Sequence, residues 1–173
     1  MLFLAARLPV ALKVKKKHDS TGQPDSDLES RGLSAYAPYL MNRIMHRYNQ
    51  SLQAVMAEQG LSIPKMRALA ALAANGSLTV NELTVFAVSE QSTMSRTLDQ
   101  LEVDGLVVRT ASKRDSRVRV IELTESGRNI YRRIWPEMHA AEEALFAQIP
   151  QKQRDNFVNT LTQILLNIRQ HDF

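Results

Sequence analysis

Apolar residues fall at helical spacing along most of the chain from residue 36 onward. The pattern predicts a long helix from Tyr36 to Gln59 that stops at Gly60, with Met41, Ile44, Met45, Tyr48, Leu52, Val55 and Met56 as its apolar stripe. Pro64 at a first helical position opens a second helix, Lys65 to Ala74, closed by Asn75-Gly76 and carrying Met66, Leu69, Ala70 and Leu72. Thr79 and Glu82 have capping-box spacing ahead of a short helix whose apolar face is Leu83 and Phe86. After a brief turn through Ala87 and Val88, Met94, Leu98 and Leu101 share one face of a further helix, with Ser89 as its N-cap and Gly105 just past its end. Two short runs rich in β-branched residues follow, Leu106 to Arg109 and Val118 to Leu123. Helical spacing then returns from Ser126 to Gln148, where Pro136 should kink the helix, and from Gln151 to Gln170. Residues 1–34 read as a flexible tail, since residues 19–29 are polar and broken by Gly22 and Pro24. Two other readings of that tail are a basic arm using Lys13, Lys15, Lys16 and Lys17, and extra residues from an upstream start codon.

Helix, turn, helix and then two strands joined by a cationic loop is the layout of a winged helix-turn-helix. The turn lacks the glycine often found there, so the motif rests on spacing and pattern. The fold class expected is mainly α with a small two-stranded antiparallel wing, flanked by long helices suited to dimerisation. On the helix after the turn, Gln91, Ser92, Thr93 and Ser95 face away from the Met94–Leu98–Leu101 stripe. They are short and hydrogen-bonding, which permits close approach to base edges and phosphates. Arg96 lies one turn further in, placed for a phosphate or a guanine edge. Between Arg109 and Arg119 stand five cations, Arg109, Lys113, Arg114, Arg117 and Arg119, against the single anion Asp115. Such a loop neutralises phosphates, and binding should weaken steeply with salt. Lys113, Arg114 and Arg117 are the wing candidates, with Arg117 the residue expected in a narrow minor groove and Asp115 placed to brace an arginine. An ordinary polar surface helix and a solvated turn are the bland alternatives.

Composition changes the picture in three ways. The 173 residues are enough for one domain with a real core. A net charge of +4 and an isoelectric point near 9.6 fit nucleic acid as a partner. The chain has no cysteine, which excludes disulfides, cysteine metal sites and cysteine-based peroxide sensing. His18, His46, His139 and His171 are scattered without ligand spacing, so no metal is expected. Neither a phosphate-cradling glycine loop nor a nucleophile–base arrangement is visible, and six glycines leave little room for a nucleotide fold. An enzyme is therefore not expected, nor is any cofactor. The apolar run at the start of the chain is far too short to span a bilayer, and no membrane partner is expected.

The run Ser89-x-x-Ser-Thr-Met-Ser-Arg-Thr-Leu-Asp-Gln-Leu-Glu, then Gly105-Leu-Val-Val-Arg, Asp115-Ser-Arg117 and Leu123-Thr-Glu-Ser-Gly127 resembles the MarR family of bacterial transcriptional regulators. The Asp-x-Arg wing followed by Leu-Thr-x-x-Gly is the most specific part, and the likeness extends over residues 36–173. Ser116 departs from it, standing where many members have a basic residue, so one phosphate contact is missing. The resemblance implies a cytoplasmic homodimer that binds double-stranded DNA at a pseudo-palindromic operator. It also implies a repressor released by a small-molecule effector, bound between the dimer helices and the DNA-reading lobe (residues 61–125). Candidates to line that crevice are Tyr39, Arg43, His46, Arg47, Met66, Arg67 and Trp135. Arg43 and Arg47 form a like-charge pair one turn apart, which costs a few tenths of a kcal/mol unless an anion joins them. That motivates an anionic effector, an aromatic carboxylate or its coenzyme A thioester. Pairing with acids such as Glu142 or Glu143 is the competing reading. A constitutive or architectural DNA-binding protein without an effector is the competing function.

Overall fold

The computed structural model describes residues 28–112, 115 and 117–168. The chain divides into two compact units, Met1–Leu40 and Met41–Phe173. In the first, α1 (Leu28–Arg31) and a 3₁₀ turn (Leu33–Ala35) form within or beside the stretch expected to be tail, and α2 (Ala37–Glu58) begins. The four lysines of the basic-arm reading lie outside the described residues.

The second unit holds the rest of α2, then α3 (Ile63–Asn75), β1 (Leu78–Thr79), α4 (Val80–Phe86), α5 (Gln91–Val103), β2 (Val107–Ala111), β3 (Arg119–Leu123), α6 (Glu125–Leu145) and α7 (Gln151–Ile168). The predicted stripes supply its centre. Leu52 and Met56 of α2, Leu69 and Leu72 of α3, Leu83 of α4, Met94, Leu98 and Leu101 of α5, Ile121 of β3 and Ile134 of α6 are almost completely buried together. Each side chain removed from water in this way contributes about 1.5–3 kcal/mol. Phe86 departs from expectation: Leu83 alone buries the face of α4, and Phe86 stays partly exposed.

The expected antiparallel wing forms from β2 and β3, and β1 joins it to give the order β1-β3-β2. β1 pairs antiparallel with β3, Leu78 opposite Ile121 and Thr79 opposite Val120. A two-residue strand has no periodicity to read. The Thr79 cap that follows Leu78 forms as predicted: Glu82 N–H donates to Thr79 Oγ1 (3.2 Å) and Thr79 N–H donates to Glu82 Oε2 (2.7 Å). The N-cap of α5 is Glu90 rather than Ser89, whose hydroxyl instead donates to the Glu90 carbonyl at 3.3 Å.

Helices α2, α4 and α5 end in the same left-handed cap, in which two successive N–H groups reach back to carbonyls of the last turn. At the end of α2, Gly60 N–H bonds Ala57 O and Leu61 N–H bonds Met56 O; at the end of α5, Gly105 bonds Glu102 and Leu106 bonds Leu101. The residue that must take positive φ is glycine in both, at 69° and 67°. After α4 the bonds are the same, Val88 to Val85 and Ser89 to Thr84, but the positive-φ residue is Val88, at 51°. A β-branched residue in this region costs about 1–2 kcal/mol relative to glycine. The turn of the helix-turn-helix is therefore built under strain.

Helix α5, the wing and α6 meet at one junction. Thr124 Oγ1 donates to the Gly105 carbonyl (2.7 Å) and accepts from Gly127 N–H (3.0 Å), while Thr124 N–H donates to Leu106 O (3.1 Å). Gly127 passes so close to the wing that a β-carbon on it would lie 2.0 Å from the Leu106 carbonyl oxygen. Gly→Ala inside a helix ordinarily stabilises by about 1 kcal/mol. Here Gly127→Ala is expected to destabilise by about 3 kcal/mol or more, because backbone must move. Thermal unfolding would register this as a fall in Tm of roughly 6–12 °C; an unchanged or raised Tm would show that the junction is not closely packed.

Candidate nucleic-acid interface and adjoining cavity

Helix α5 turns Met94, Thr97, Leu98 and Leu101 inward and leaves Gln91, Ser92, Thr93, Ser95 and Arg96 exposed. These five predicted residues therefore share the outer surface near the start of the helix. A face of short polar side chains with one guanidinium is chemically suited to base edges and phosphates. The helix is tied to α3 at its C-terminal end. Lys65 Nζ of α3 reaches Asp104 Oδ2 at the C-cap at 2.7 Å, with Lys65 mostly buried.

Arg109, counted above among the wing cations, has a different role. Its guanidinium bonds Asp99 Oδ1 and lies 2.8 Å from Glu102 Oε2, both on α5. It ties β2 to the recognition helix and contributes no open charge to the wing. The signal was available in the sequence: Asp99 and Glu102 are one turn apart, and Arg109 stands just beyond the Gly105 stop.

At the wing tip Asp115 Oδ1 accepts from the Arg117 backbone N–H (3.0 Å) and Nε (3.1 Å), and Oδ2 accepts from Nη2 (3.0 Å). The bidentate pair orients an Arg117 side chain that remains 89% exposed. The guanidinium is thus aimed before any partner arrives. Lys113 and Arg114, the other wing candidates, lie outside the described residues.

Beside the turn lies an open, mainly apolar cavity of about 530 Å³. Asn42, Met45, Tyr48 and Asn49 of α2, Met66, Arg67, Ala70 and Ala71 of α3, Phe86, Ala87 and Val88 of the turn, and Met138 of α6 line it. Of the expected crevice residues, Met66 and Arg67 are brought together here. Arg43, His46 and Arg47 are exposed on α2 and outside this lining, as is Trp135 on α6. The reason is helical phase: each residue turns about 100° from the last, so 42, 45, 48 and 49 form a stripe that 43, 46 and 47 flank. Tyr39 belongs to the first unit. Arg47 donates to Gln50 Oε1 at 3.3 Å. Glu142 and Glu143, considered as partners for Arg43 and Arg47, are engaged by Arg154 of α7.

Arg67 carries the one formal charge among the lining residues. Its Nη2 donates to Asn49 Oδ1 at 3.2 Å and its Nη1 to the Val88 carbonyl at 3.5 Å. Burial, reinforced by Glu142 and opposed by Arg67, pushes the Tyr48 phenol above its ordinary range, and like any tyrosine at neutral pH it is a hydrogen-bond donor. The sequence reading placed Tyr48 in the apolar stripe, as a packing residue, and did not single out Asn49, so the donor capacity of the cavity was missed. Among the described residues no three His, Asp or Glu side chains gather as a metal site, and no helix is long and apolar enough to cross a membrane.

The Asp115–Arg117 pair makes a direct prediction. The side-chain hydrogen bond from Arg117, and then the backbone one, hold the Asp115 carboxyl below the usual carboxylate range. A depressed folded-state pKa stabilises the ordered wing above the unfolded value, and that contribution is lost as pH falls through the folded value. Carboxyl-carbon NMR should find Asp115 titrating below an ordinary aspartate, and Arg117→Ala should return it upward. An ordinary midpoint in the parent would show that the pair does not form in solution.

Comparison with known proteins agrees with this geometry. The MarR family model matches residues 59–118. The structure of a MarR-family transcriptional regulator from Silicibacter pomeroyi is 48% identical, covers 85% of this chain and 99% of its own, and superposes with a TM-score of 0.79. A second MarR-family structure from that organism is 34% identical over 80% of this chain and 93% of its own, with a TM-score of 0.76. The HTH-type transcriptional repressor IacR of Pseudomonas putida is 32% identical over 89 residues, 51% of this chain and 53% of that protein. The chain spans about half the length of the first curated relatives it matches. On the near-complete match to the first of these structures, this chain belongs to the MarR family of transcriptional regulators.

Proposed function

We propose that the protein is a homodimeric transcriptional repressor that binds a pseudo-palindromic DNA operator and is released by a small anionic effector. The observation that carries the DNA reading is the pairing of an outward polar face on α5 with an Arg117 pre-aimed by Asp115. Helix α5 would lie in the major groove with Gln91, Ser92, Thr93, Ser95 and Arg96 at base edges and phosphates. Arg117 would enter the neighbouring minor groove, with Lys113 and Arg114 on the flanking backbone.

The dimer reading rests on α7. None of its residues is buried, and Phe157, Val158, Ile164, Leu165, Leu166 and Ile168 are exposed, Leu165 by 63%. An amphipathic helix with its apolar side chains in water needs a cover, and a second copy related by two-fold symmetry also matches a palindromic operator. Sedimentation at micromolar concentration should give twice the chain mass, and Leu165→Glu with Ile168→Glu should give a monomer. A monomeric parent would remove this part.

The effector reading rests on the cavity: an open, mainly apolar cleft with one guanidinium, a protonated phenol and two asparagines fits an aromatic body bearing a carboxylate. Two structures of the same fold point the same way. BpsR of Bordetella bronchiseptica, whose DNA binding is regulated by 6-hydroxynicotinic acid, has a TM-score of 0.65, and CouR of Rhodococcus jostii, bound to p-coumaroyl-CoA, has one of 0.71. Arg43, His46, Arg47 and Trp135 remain candidates for a longer ligand such as a thioester.

Binding to duplex DNA from upstream of the protein's own gene, followed by fluorescence anisotropy at several salt concentrations with and without aromatic acids and their thioesters, tests the whole. Specific binding abolished by one compound is expected. Arg117→Ala should weaken binding and flatten the salt dependence by about one unit of log–log slope without lowering Tm. Specific binding that no compound touches would favour a constitutive regulator, and salt-sensitive binding to every sequence alike an architectural protein.

A further inference from the structure

The strained turn and the cavity share a residue. Val88 takes the positive φ that glycine takes at both equivalent caps in this chain, and its side chain is 76% exposed, so packing does not enforce the conformation. Beyond the two cap hydrogen bonds, the Val88 carbonyl receives Arg67 Nη1 at 3.5 Å, and the same guanidinium is anchored to Asn49 at 3.2 Å. Arg67, Asn49 and Val88 all line the cavity. We infer that Arg67 is a shared brace: it holds the strained turn that aims the recognition helix, and it is the group an anionic ligand in the cavity must take.

The chemistry favours an exchange. A guanidinium binds a carboxylate roughly twice as strongly as a neutral carbonyl, and the bond to Val88 is already long. A carboxylate entering the cavity competes for Nη1, and the turn loses its brace. With a valine at the left-handed position, the turn then opens more often, and α5 is no longer presented at a fixed angle. Coupling between sites is reciprocal, so DNA that holds the turn closed weakens the anion by the same factor. The scale is that of one hydrogen bond, about a three- to ten-fold change in the closed population. The regulatory meaning rests on the effector reading above; the brace itself does not.

Amide hydrogen exchange on the full chain tests the brace without any ligand. The probes are the Val88 and Ser89 amides, which close the cap on Val85 and Thr84. Arg67→Ala should speed their exchange about three- to ten-fold, the loss of one hydrogen bond, while amides in the middle of α6 keep the parental rate. Arg67→Gln serves if the alanine variant unfolds. Adding Val88→Gly to either should restore protection, because an unstrained turn does not need the brace. Turn amides unmoved by Arg67 substitution would overturn the brace. Millimolar benzoate should accelerate the same two amides in the parent but not in Arg67→Ala, and benzamide, its neutral analogue, should do neither. If benzoate leaves them unchanged while Arg67→Ala still accelerates them, the competition is wrong and Arg67 is a fixed structural tie. Failure of the effector reading appears separately, as loss of every acid from calorimetric binding with the Arg67→Ala result intact.

Discussion

The structure depends on one close approach, that of Gly127 to the Leu106 carbonyl. A β-carbon there would sit inside the oxygen. With glycine in place, Thr124 can bond the Gly105 carbonyl, the Leu106 carbonyl and the Gly127 amide at once. Three elements of different purpose are thereby fixed at one point: the end of α5, the start of β2 and the first turn of α6. Around that knot the core needs only ordinary stripes, and the angle between the recognition helix and the wing follows from it. Arg109 repeats the restraint a few residues on by tying β2 to Asp99 and Glu102.

The cations that gave the sequence its basic character divide by what they touch. Lys65, Arg109 and Arg154 are committed to acids within the fold and hold elements together. Arg117 is paired as well, but at the surface, where the pair aims rather than buries the charge. Arg67 is tied to neutral oxygens only, Asn49 and Val88, next to a cavity. A guanidinium engaged with neutral acceptors retains most of its attraction for an anion. Arg109 is thus paired with acids and Arg67 with neutral oxygens.

What was legible in the sequence, and what was not, follows from range. The α5 stripe, the Leu52–Met56 end of the α2 stripe, Ile134 of α6 and the Thr79–Glu82 cap are local patterns that appear where periodicity placed them, whereas Ile44, Met45 and Leu145 of the expected stripes are exposed. The Asp115 brace on Arg117 is two residues long and was equally readable. β1 was not, because two residues carry no period and its partner lies more than forty positions away. The N-cap of α5 stands one residue on, at Glu90, and the Ser89 hydroxyl donates to the Glu90 carbonyl instead. The missing glycine of the turn was visible, but its consequence needed the backbone: without the φ of Val88, absence of glycine does not distinguish strain from a different turn. The cavity lining depended on the rotation of α2 to within one residue, which stripes this broad leave open.

The account's central claim is that the outer face of α5 and the wing form one DNA-reading surface. Amide and side-chain NMR shifts of the full chain, titrated with duplex DNA from upstream of its gene, test that most directly. The predicted result is perturbation of Gln91, Ser92, Thr93, Ser95, Arg96 and Arg117 in a single binding process, with the interior of the core unmoved. Shifts confined to other surfaces, or α5 and the wing responding at different DNA concentrations, would contradict it.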